Sequence, residues 1–240
     1  MRGGFLVGAG YALRGARLLK QPGLRRFVLG PLVINVLVFS AALAGFGTLF
    51  EQTLATLFPD LPEWLAWLAW LLFGALLLIM LFFTFSLVAN VIASPFNGLL
   101  AEAVERHLAA PDAPLPFDWR SLFAEAGRAF AAALRKLAYI GLRALPLLLL
   151  SVIPGLNLLA PALWLLFGAW MLAIEYLDCP LGNHGEVFPA AVARLREARA
   201  MALGFGVVLS LMTMVPVLNF LAMPVGVAGA TVMYVERFRR

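Results

Sequence analysis

The chain has 240 residues with a net charge of +5; 63% of its residues are hydrophobic, only 13% are charged, and the mean hydropathy is +0.93. Too little polar surface remains to cover a water-soluble domain of this size, so the composition excludes a soluble protein and predicts an all-α integral membrane protein. The single cysteine excludes an intramolecular disulfide, and the two histidines lie too far apart in sequence to suggest a metal site.

Residues 1–26 are predicted to form a basic cytoplasmic arm, which carries six of the 18 arginines and lysines. Backbone N–H groups and a positive dipole at the start of the first membrane helix, beside two arginines, favour anion binding. The candidate anion site consists of Gly23, Leu24, Arg25 and Arg26. Ordinary cytoplasmic anchoring by contacts of these arginines with phospholipid headgroups explains the same segment, and the sequence does not separate the two interpretations.

Two membrane-spanning helices are predicted at 27–50 and 64–93, because both are free of charge and long enough to cross a bilayer about 30 Å thick. The loop between them, 51–63, contains three acidic residues and no basic one. Because every other charged segment contains arginine or lysine, the positive-inside rule places this loop outside and both termini in the cytoplasm.

Residues 102–143 are predicted to form cytoplasmic or interfacial helices. From Trp119 to Leu137, apolar residues recur at helical spacing with basic residues beside them, which is typical of an amphipathic helix at the membrane interface or packed on neighbouring helices. The start of the segment holds a candidate gate, formed by Glu102, Glu105, Arg106 and His107. A solvated, salt-bridged helix face explains the same four residues without a gating role.

The last two apolar stretches, 144–174 and 200–235, repeat one pattern. The first is interrupted by Pro154 and its neighbours, and the second is interrupted in the same way 62 residues later, at Pro216. Paired apolar segments broken at matching positions by proline indicate helical hairpins in a membrane protein. The repeat therefore predicts two hairpins.

The lengths of the predicted hairpin arms favour partial insertion into the bilayer. If the second arms run from Pro161 to Ile174 and from Pro224 to Val235, they contain 14 and 12 residues. This is roughly 18 to 21 Å of helix, less than the thickness of the hydrocarbon core. Partly inserted hairpins are preferred to four further full spans, although longer or tilted arms would close the gap.

The predicted membrane segments contain no lysine, arginine, histidine or carboxylate, so a proton relay deep in the bilayer has no residues to use. Neutral amides and helix ends are able to bind a dianion without a formal charge. The candidate pathway residues are Asn90, Ser94, Asn97, Asn157 and Asn219. Turn and capping bonds, or hydrogen bonds between helices, are the alternative explanation for them.

The sequence contains no Ser/His/Asp order, phosphate-binding loop or nucleotide-binding glycine motif. It therefore predicts neither an enzyme nor an ATP-driven pump. We expect no catalytic residues, no cofactor, no metal and no nucleic-acid partner.

Two stretches resemble the signature segments of the CysZ sulfate permease family, whose wider group includes the etoposide-induced protein 2.4 relatives. They are 90–102, Asn-Val-Ile-Ala-Ser-Pro-Phe-Asn-Gly-Leu-Leu-Ala-Glu, and 176–184, Tyr-Leu-Asp-Cys-Pro-Leu-Gly-Asn-His. The resemblance extends over essentially the full length, from the basic arm to the paired hairpins. It implies two full transmembrane helices and two partly inserted hairpins, with an anion site in a Gly-Leu-Arg-type segment, here 23–26.

The resemblance also implies a function. It indicates a multi-pass protein of the bacterial inner membrane that takes up sulfate for cysteine biosynthesis, responds to sulfite, and assembles from dimers into larger homo-oligomers. We expect the transport to be channel-like or facilitated. The alternative is a membrane-inserted scaffold or leaflet-remodelling protein without transport activity, which would need no anion site.

Overall fold

The computed structural model describes residues 4–109, 119–186 and 188–239. Within the helices, the side chains of residues 31, 32, 35, 78, 81–95, 119–130, 216 and 217 lie outside that description. In the described ranges the regular secondary structure is entirely helical, which confirms the all-α prediction.

Eight α-helices, one short 3-10 helix and one π-helical turn follow each other along the described chain. The α-helices are α1 Phe5–Leu18, α2 Pro22–Leu57, α3 Glu63–Leu108, α4 Trp119–Val152, α5 Ala160–Asn183, α6 Ala190–Glu197, α7 Arg199–Met214 and α8 Pro216–Met233. The 3-10 helix, Leu156–Leu159, separates α4 from α5, and the π-helical turn, Tyr234–Phe238, follows α8.

The chain divides into two compact units, Met1–Val28 with Asn97–Arg240, and Leu29–Phe96. The smaller unit contains most of α2 and α3. An aromatic cluster joins these two helices next to their connecting loop, where the rings of Phe50 and Phe73 stack 4.0 Å apart and Trp70 meets Phe50 edge-on at 4.9 Å. The prediction of a single membrane domain, 1–240, stays a prediction.

The larger unit is built on close helix crossings at glycines. In this unit α1 and α5 both pack against α7 and α8. A Cβ atom on Gly8 or Gly204 would collide with the backbone across the α1–α7 contact, and one on Gly206 would collide with the backbone of α5. Gly15 and Gly229 serve the α1–α8 contact, where a Cβ on Gly15 would lie 2.5 Å from a carbonyl oxygen of α8. Small residues of this kind let membrane helices approach backbone to backbone.

Both predicted hairpins have a helix break at the expected place. Gly155, between α4 and α5, has φ +86°, a left-handed conformation that favours glycine. Val215, between α7 and α8, is extended at φ −100° and ψ 115°, as expected for a residue that precedes proline. The repeated proline segments therefore do interrupt the helices, and the helices on either side of each break contact each other.

Three helical segments among the described residues are long and apolar enough to cross a membrane: Val36–Leu57, Leu156–Asn183 and Leu218–Phe238. The bent pair α6–α7, with 110° between its helices, would make a fourth if it formed one span. The shorter apolar segment Glu63–Leu77 overlaps the start of the predicted second span, 64–93. The count of two full spans plus two hairpins thus stays a prediction.

The helices do not end where the predicted apolar segments end. The predicted hairpin arms contain 14 and 12 residues, whereas the helix α5 has 24 residues and continues past Glu175, and α8 has 18 residues and begins at Pro216. Likewise, α4 runs without a break through the predicted boundary between 102–143 and 144–174. Main-chain hydrogen bonds continue through these charged positions, so each helix extends beyond its apolar stretch. A count of apolar residues does not predict this extension.

Candidate functional site

The candidate anion segment lies in the first turn of α2, which begins at Pro22. Leu24 is buried with only 4% of its surface exposed, whereas Gly23, Arg25 and Arg26 are exposed. The buried leucine fixes this turn to the hydrophobic core of the larger unit and turns the two arginines outward. The backbone N–H of Leu24 donates to the carbonyl of Gln21 at 3.1 Å. Of the two backbone amides expected to bind the anion, those of Gly23 and Leu24, only that of Gly23 is therefore left for it.

Both arginines of the segment are held by contacts that leave most of their donors available. The Nε of Arg25 donates to the carbonyl of Lys20 at 2.8 Å, and the guanidinium of Arg26 lies 4.9 Å from the ring centroid of Phe27. Neither makes an ion pair with a carboxylate within the described part of the chain. Two oriented, exposed guanidinium groups of this kind are suited to an oxyanion.

A buried ion-pair cluster surrounds Glu105, one of the four candidate gating residues. Its side chain is only 7% exposed, and its two oxygens lie 3.0 and 3.1 Å from Nε2 of His184. Arg239 Nη1 is 3.3 Å from the same carboxylate, and the Tyr234 ring lies 5.2 Å from the His184 ring. The cluster joins the end of α3, the end of α5 and the C-terminal segment.

The other three candidate gating residues do not join this cluster. Glu102 and Arg106 form an exposed ion pair one helical turn apart, and His107 is exposed. These three residues match the alternative prediction of a solvated, salt-bridged helix face. A gating role for them stays a prediction, and the structure brings only Glu105 into a buried polar contact.

The structure joins the two stretches that carry the family resemblance. Asn183 Nδ2 donates to the carbonyl of Gly98 at 2.9 Å, next to the contact between His184 and Glu105. A Cβ on Gly98 would lie 3.4 Å from Asn183 Oδ1, an ordinary van der Waals contact. One hydrogen bond within the larger unit therefore joins Gly98 of the first signature stretch to Asn183 of the second.

The candidate pathway residues are dispersed. Asn97 is half-buried, while Asn157, in the 3-10 helix, and Asn219, in the first turn of α8, are exposed. Within the described residues neither of these two side chains makes a hydrogen bond, and a pathway role for them stays a prediction. The side chains of Asn90 and Ser94 lie outside the described residues.

Polar pairs also fix the register of the first hairpin. Lys136 of α4 contacts Glu175 and Asp178 of α5, the latter at 2.8 Å. Burial lowers the pKa of Lys136, but the two carboxylates outweigh that effect and raise it above its ordinary value. Near the hairpin tip, Trp164 Nε1 donates to Ser151 Oγ at 3.1 Å.

The sequence analysis did not predict which residues pair with each other in the polar clusters. Glu236, in the C-terminal turn, accepts hydrogen bonds from Arg14 at 2.8 Å and from the Tyr11 hydroxyl at 3.1 Å, both on α1. The hydrogen bond to Glu236 raises the pKa of Arg14. The sequence did contain a signal for His184, since this residue ends a signature stretch. No sequence pattern, however, linked Glu236 to Tyr11 and Arg14, which lie more than 200 positions away.

Long apolar helices and close glycine crossings define a helical integral membrane protein. Residues 11–224 match the family model described as sulfate transporter CysZ/etoposide-induced protein 2.4. The sulfate transporter CysZ of Pseudomonas aeruginosa is 46% identical over 235 residues, which cover 96% of this chain and 95% of the relative. The chain belongs to this family, which confirms the resemblance seen in the two signature stretches.

Other relatives agree with this assignment. The sulfate transporter CysZ of Pseudomonas fluorescens is 45% identical over 96% of this chain and 94% of its own length. That of Pectobacterium atrosepticum is 41% identical over 97% of this chain and 86% of its own length. The similarity thus includes the basic arm, the smaller unit and both hairpins.

Proposed function

We propose that this protein takes up sulfate across the bacterial inner membrane for cysteine biosynthesis, as a channel-like or facilitated permease. The observation that carries the proposal is the 41–46% identity, along nearly the whole chain, to relatives named sulfate transporters. No chemical step on the anion is required of the protein. Sulfite is expected to act as a regulator.

The start of α2 is the proposed sulfate-binding site. Arg25 and Arg26 offer charge-assisted donors that no carboxylate of the described residues occupies, and Gly23 adds an exposed, unhindered approach to the backbone. Sulfate has four acceptor oxygens and matches such a set of donors. The exposed amides of Asn157 and Asn219, at the breaks of the two hairpins, are proposed to line the path beyond it.

Partial insertion of both hairpins is supported by the distance from their outermost charges to their tips. Arg143, on α4, is exposed and lies ten residues before Ile153, or about 15 Å of helix. Arg199, at the start of α7, lies 15 residues before Met214, or about 22 Å. With these arginines at the headgroup level, both tips stop short of the roughly 30 Å needed to cross.

The charge distribution supports a membrane topology, and the exposed apolar surface supports an oligomeric assembly. The distribution of arginine and lysine supports cytoplasmic termini, with the acidic loop 51–63 outside. Exposed leucines on α4, such as Leu142 and Leu145, offer an apolar surface for lipid or for a second copy. We expect a homo-oligomer, a dimer or larger.

The test is uptake of radiolabelled sulfate by liposomes that contain the purified protein, with no ATP and no imposed proton gradient. The test variant is Arg25→Ala/Arg26→Ala. The matched control is Arg17→Ala/Arg135→Ala, which removes the same charge from exposed arginines outside the proposed site. Empty liposomes measure leakage, and sulfite is added in a separate series.

We expect saturable uptake by the wild type and the control, a loss of about tenfold or more in the test variant, and inhibition by sulfite. Equal uptake by the test and control variants would refute the site at α2. Uptake no faster than leakage in every sample would refute transport by this protein alone and favour the scaffold alternative.

A further inference from the structure

A second cationic site lies away from the start of α2, in a cavity of about 450 Å³ within the larger unit. Four helices, α4 to α7, contribute to its wall. The lining residues are Tyr139, Arg143, Trp170, Arg196, Arg199 and Leu203. Nothing in the proposed sulfate site or in the Glu105 cluster uses this cavity.

The sharp bend between α6 and α7 gathers two of the arginines. Arg196 lies in the last turn of α6 and Arg199 is the first residue of α7, and the helix axes turn by 110° between them at Ala198. Both arginines border the cavity across this bend.

The third arginine is oriented by an aromatic ring. The guanidinium of Arg143 lies 3.6 Å from the ring centroid of Tyr139, a close cation–π contact. The Phe188 ring contacts the Tyr139 ring edge-on at 5.5 Å, and Trp170 Nε1 donates to the Tyr139 hydroxyl at 2.8 Å. Because that hydroxyl accepts from tryptophan, its own proton is available to donate.

The wall consequently presents donors and positive charge without a balancing carboxylate. Within the described parts of the chain no aspartate or glutamate lines the cavity, and Arg196 and Arg199 make no hydrogen bond or ion pair there. Three like charges around one space repel each other, and an anion with several acceptor oxygens would relieve that repulsion. The chemistry fits a tetrahedral oxyanion.

The position of the cavity favours phospholipid as the source of that oxyanion. Arg143 and Arg199 are the last charged residues before the apolar stretches 144–174 and 200–235, where a headgroup would lie. Beyond Arg143, Leu145 and Leu149 of α4 are 55% and 61% exposed and offer an apolar track for an acyl chain.

We propose that this cavity binds a tetrahedral oxyanion, with the phosphate of an anionic phospholipid as its favoured occupant. The test measures the thermal midpoint of the purified full-length protein in a neutral detergent. The added probes are a short-chain phosphatidylglycerol, the matching phosphatidylcholine, inorganic phosphate and sodium sulfate. Each probe is titrated to give an apparent Kd.

The test variant is Arg196→Gln/Arg199→Gln, which removes both charges and keeps polar side chains at exposed positions, and Arg143→Gln is a second, independent variant. Arg17→Ala/Arg135→Ala is the control for net charge. The midpoint and the size-exclusion profile without probe establish that each variant folds.

We expect phosphatidylglycerol to stabilise the wild type and the control, with an apparent Kd about tenfold or more weaker in both cavity variants, and phosphatidylcholine to have no such effect. A cavity-dependent response to phosphate or sulfate alone would support the oxyanion site with a soluble ligand. Equal shifts by the two lipids, or a response unchanged in both cavity variants, would overturn the proposal.

Discussion

The close crossing of α5 and α7 provides the sharpest test of the packing. Gly206 of α7 faces the backbone of Ala169 on α5, and a Cβ there would collide with the carbonyl group and lie 2.9 Å from the Ala169 Cα. These are backbone atoms, which cannot rotate away. Gly168, adjacent to Ala169 on α5, has nothing within 4 Å of its Cβ position. Gly206→Ala and Gly168→Ala are thus a matched pair of variants.

The expected difference follows from two opposing effects. Alanine is about 1 kcal/mol more favourable than glycine inside a helix, and both variants gain this amount. Overpacking costs about 1–3 kcal/mol, and a collision with backbone places Gly206→Ala at the upper end. At about 2–4 °C per kcal/mol for a chain of this size, the variant Gly206→Ala should melt about 6–12 °C below Gly168→Ala.

The assay is the thermal midpoint of the detergent-purified variants, followed by size-exclusion chromatography after heating. Gly168→Ala should melt at or slightly above the wild-type temperature. If the two variants melt within about 2 °C of each other, the backbone-to-backbone approach of α5 and α7 described above is incorrect.

Two further predictions concern the polar clusters. Glu105→Ala removes the acceptor of the His184 ring and should lower the unfolding free energy by about 1–3 kcal/mol, whereas Glu105→Gln retains one acceptor and should lose less; equal thermal midpoints would contradict this ordering. Lys136→Met leaves Asp178 and Glu175 without their shared cation and should cost about 1–3 kcal/mol, reduced by the partial exposure of the pair. Because the folded-state pKa of Lys136 is raised, its contribution is fully present below the ordinary lysine pKa of about 10.4 and is lost only as the pH rises through the raised value. The difference in midpoint between wild type and Lys136→Met should therefore stay constant from about pH 6 to about pH 9, and a difference that disappears within that range would argue against the contact.

Charge and apolar pattern in the sequence predicted the helical membrane class, the basic arm and the two helix breaks. These properties are local: a proline removes a hydrogen-bond donor wherever it stands, as at Pro216, and a long uncharged run must avoid water. Boundaries were less certain, since α5 continues through Glu175 and Asp178, which pair with Lys136 instead of ending the helix.

In the candidate site, too, local sequence was enough for some residues and not for others. Arg25 and Arg26 stand side by side in sequence, and a local argument was enough to single them out. Of the four residues proposed as a gate, only Glu105 is buried, and nothing in its local pattern distinguishes it from Glu102, three residues earlier.

The sequence by itself determined that the chain has long apolar stretches interrupted at Pro154 and Pro216, with its charges outside those stretches, because these are properties of neighbouring residues. Only the tertiary structure decided which distant charges meet. Glu105 reaches His184 across 79 positions, and the bend at Ala198 brings Arg196 and Arg199 to the cavity of α4 and α5. Such contacts depend on how the helices cross, and the glycines that allow those crossings carry no side chain to mark them.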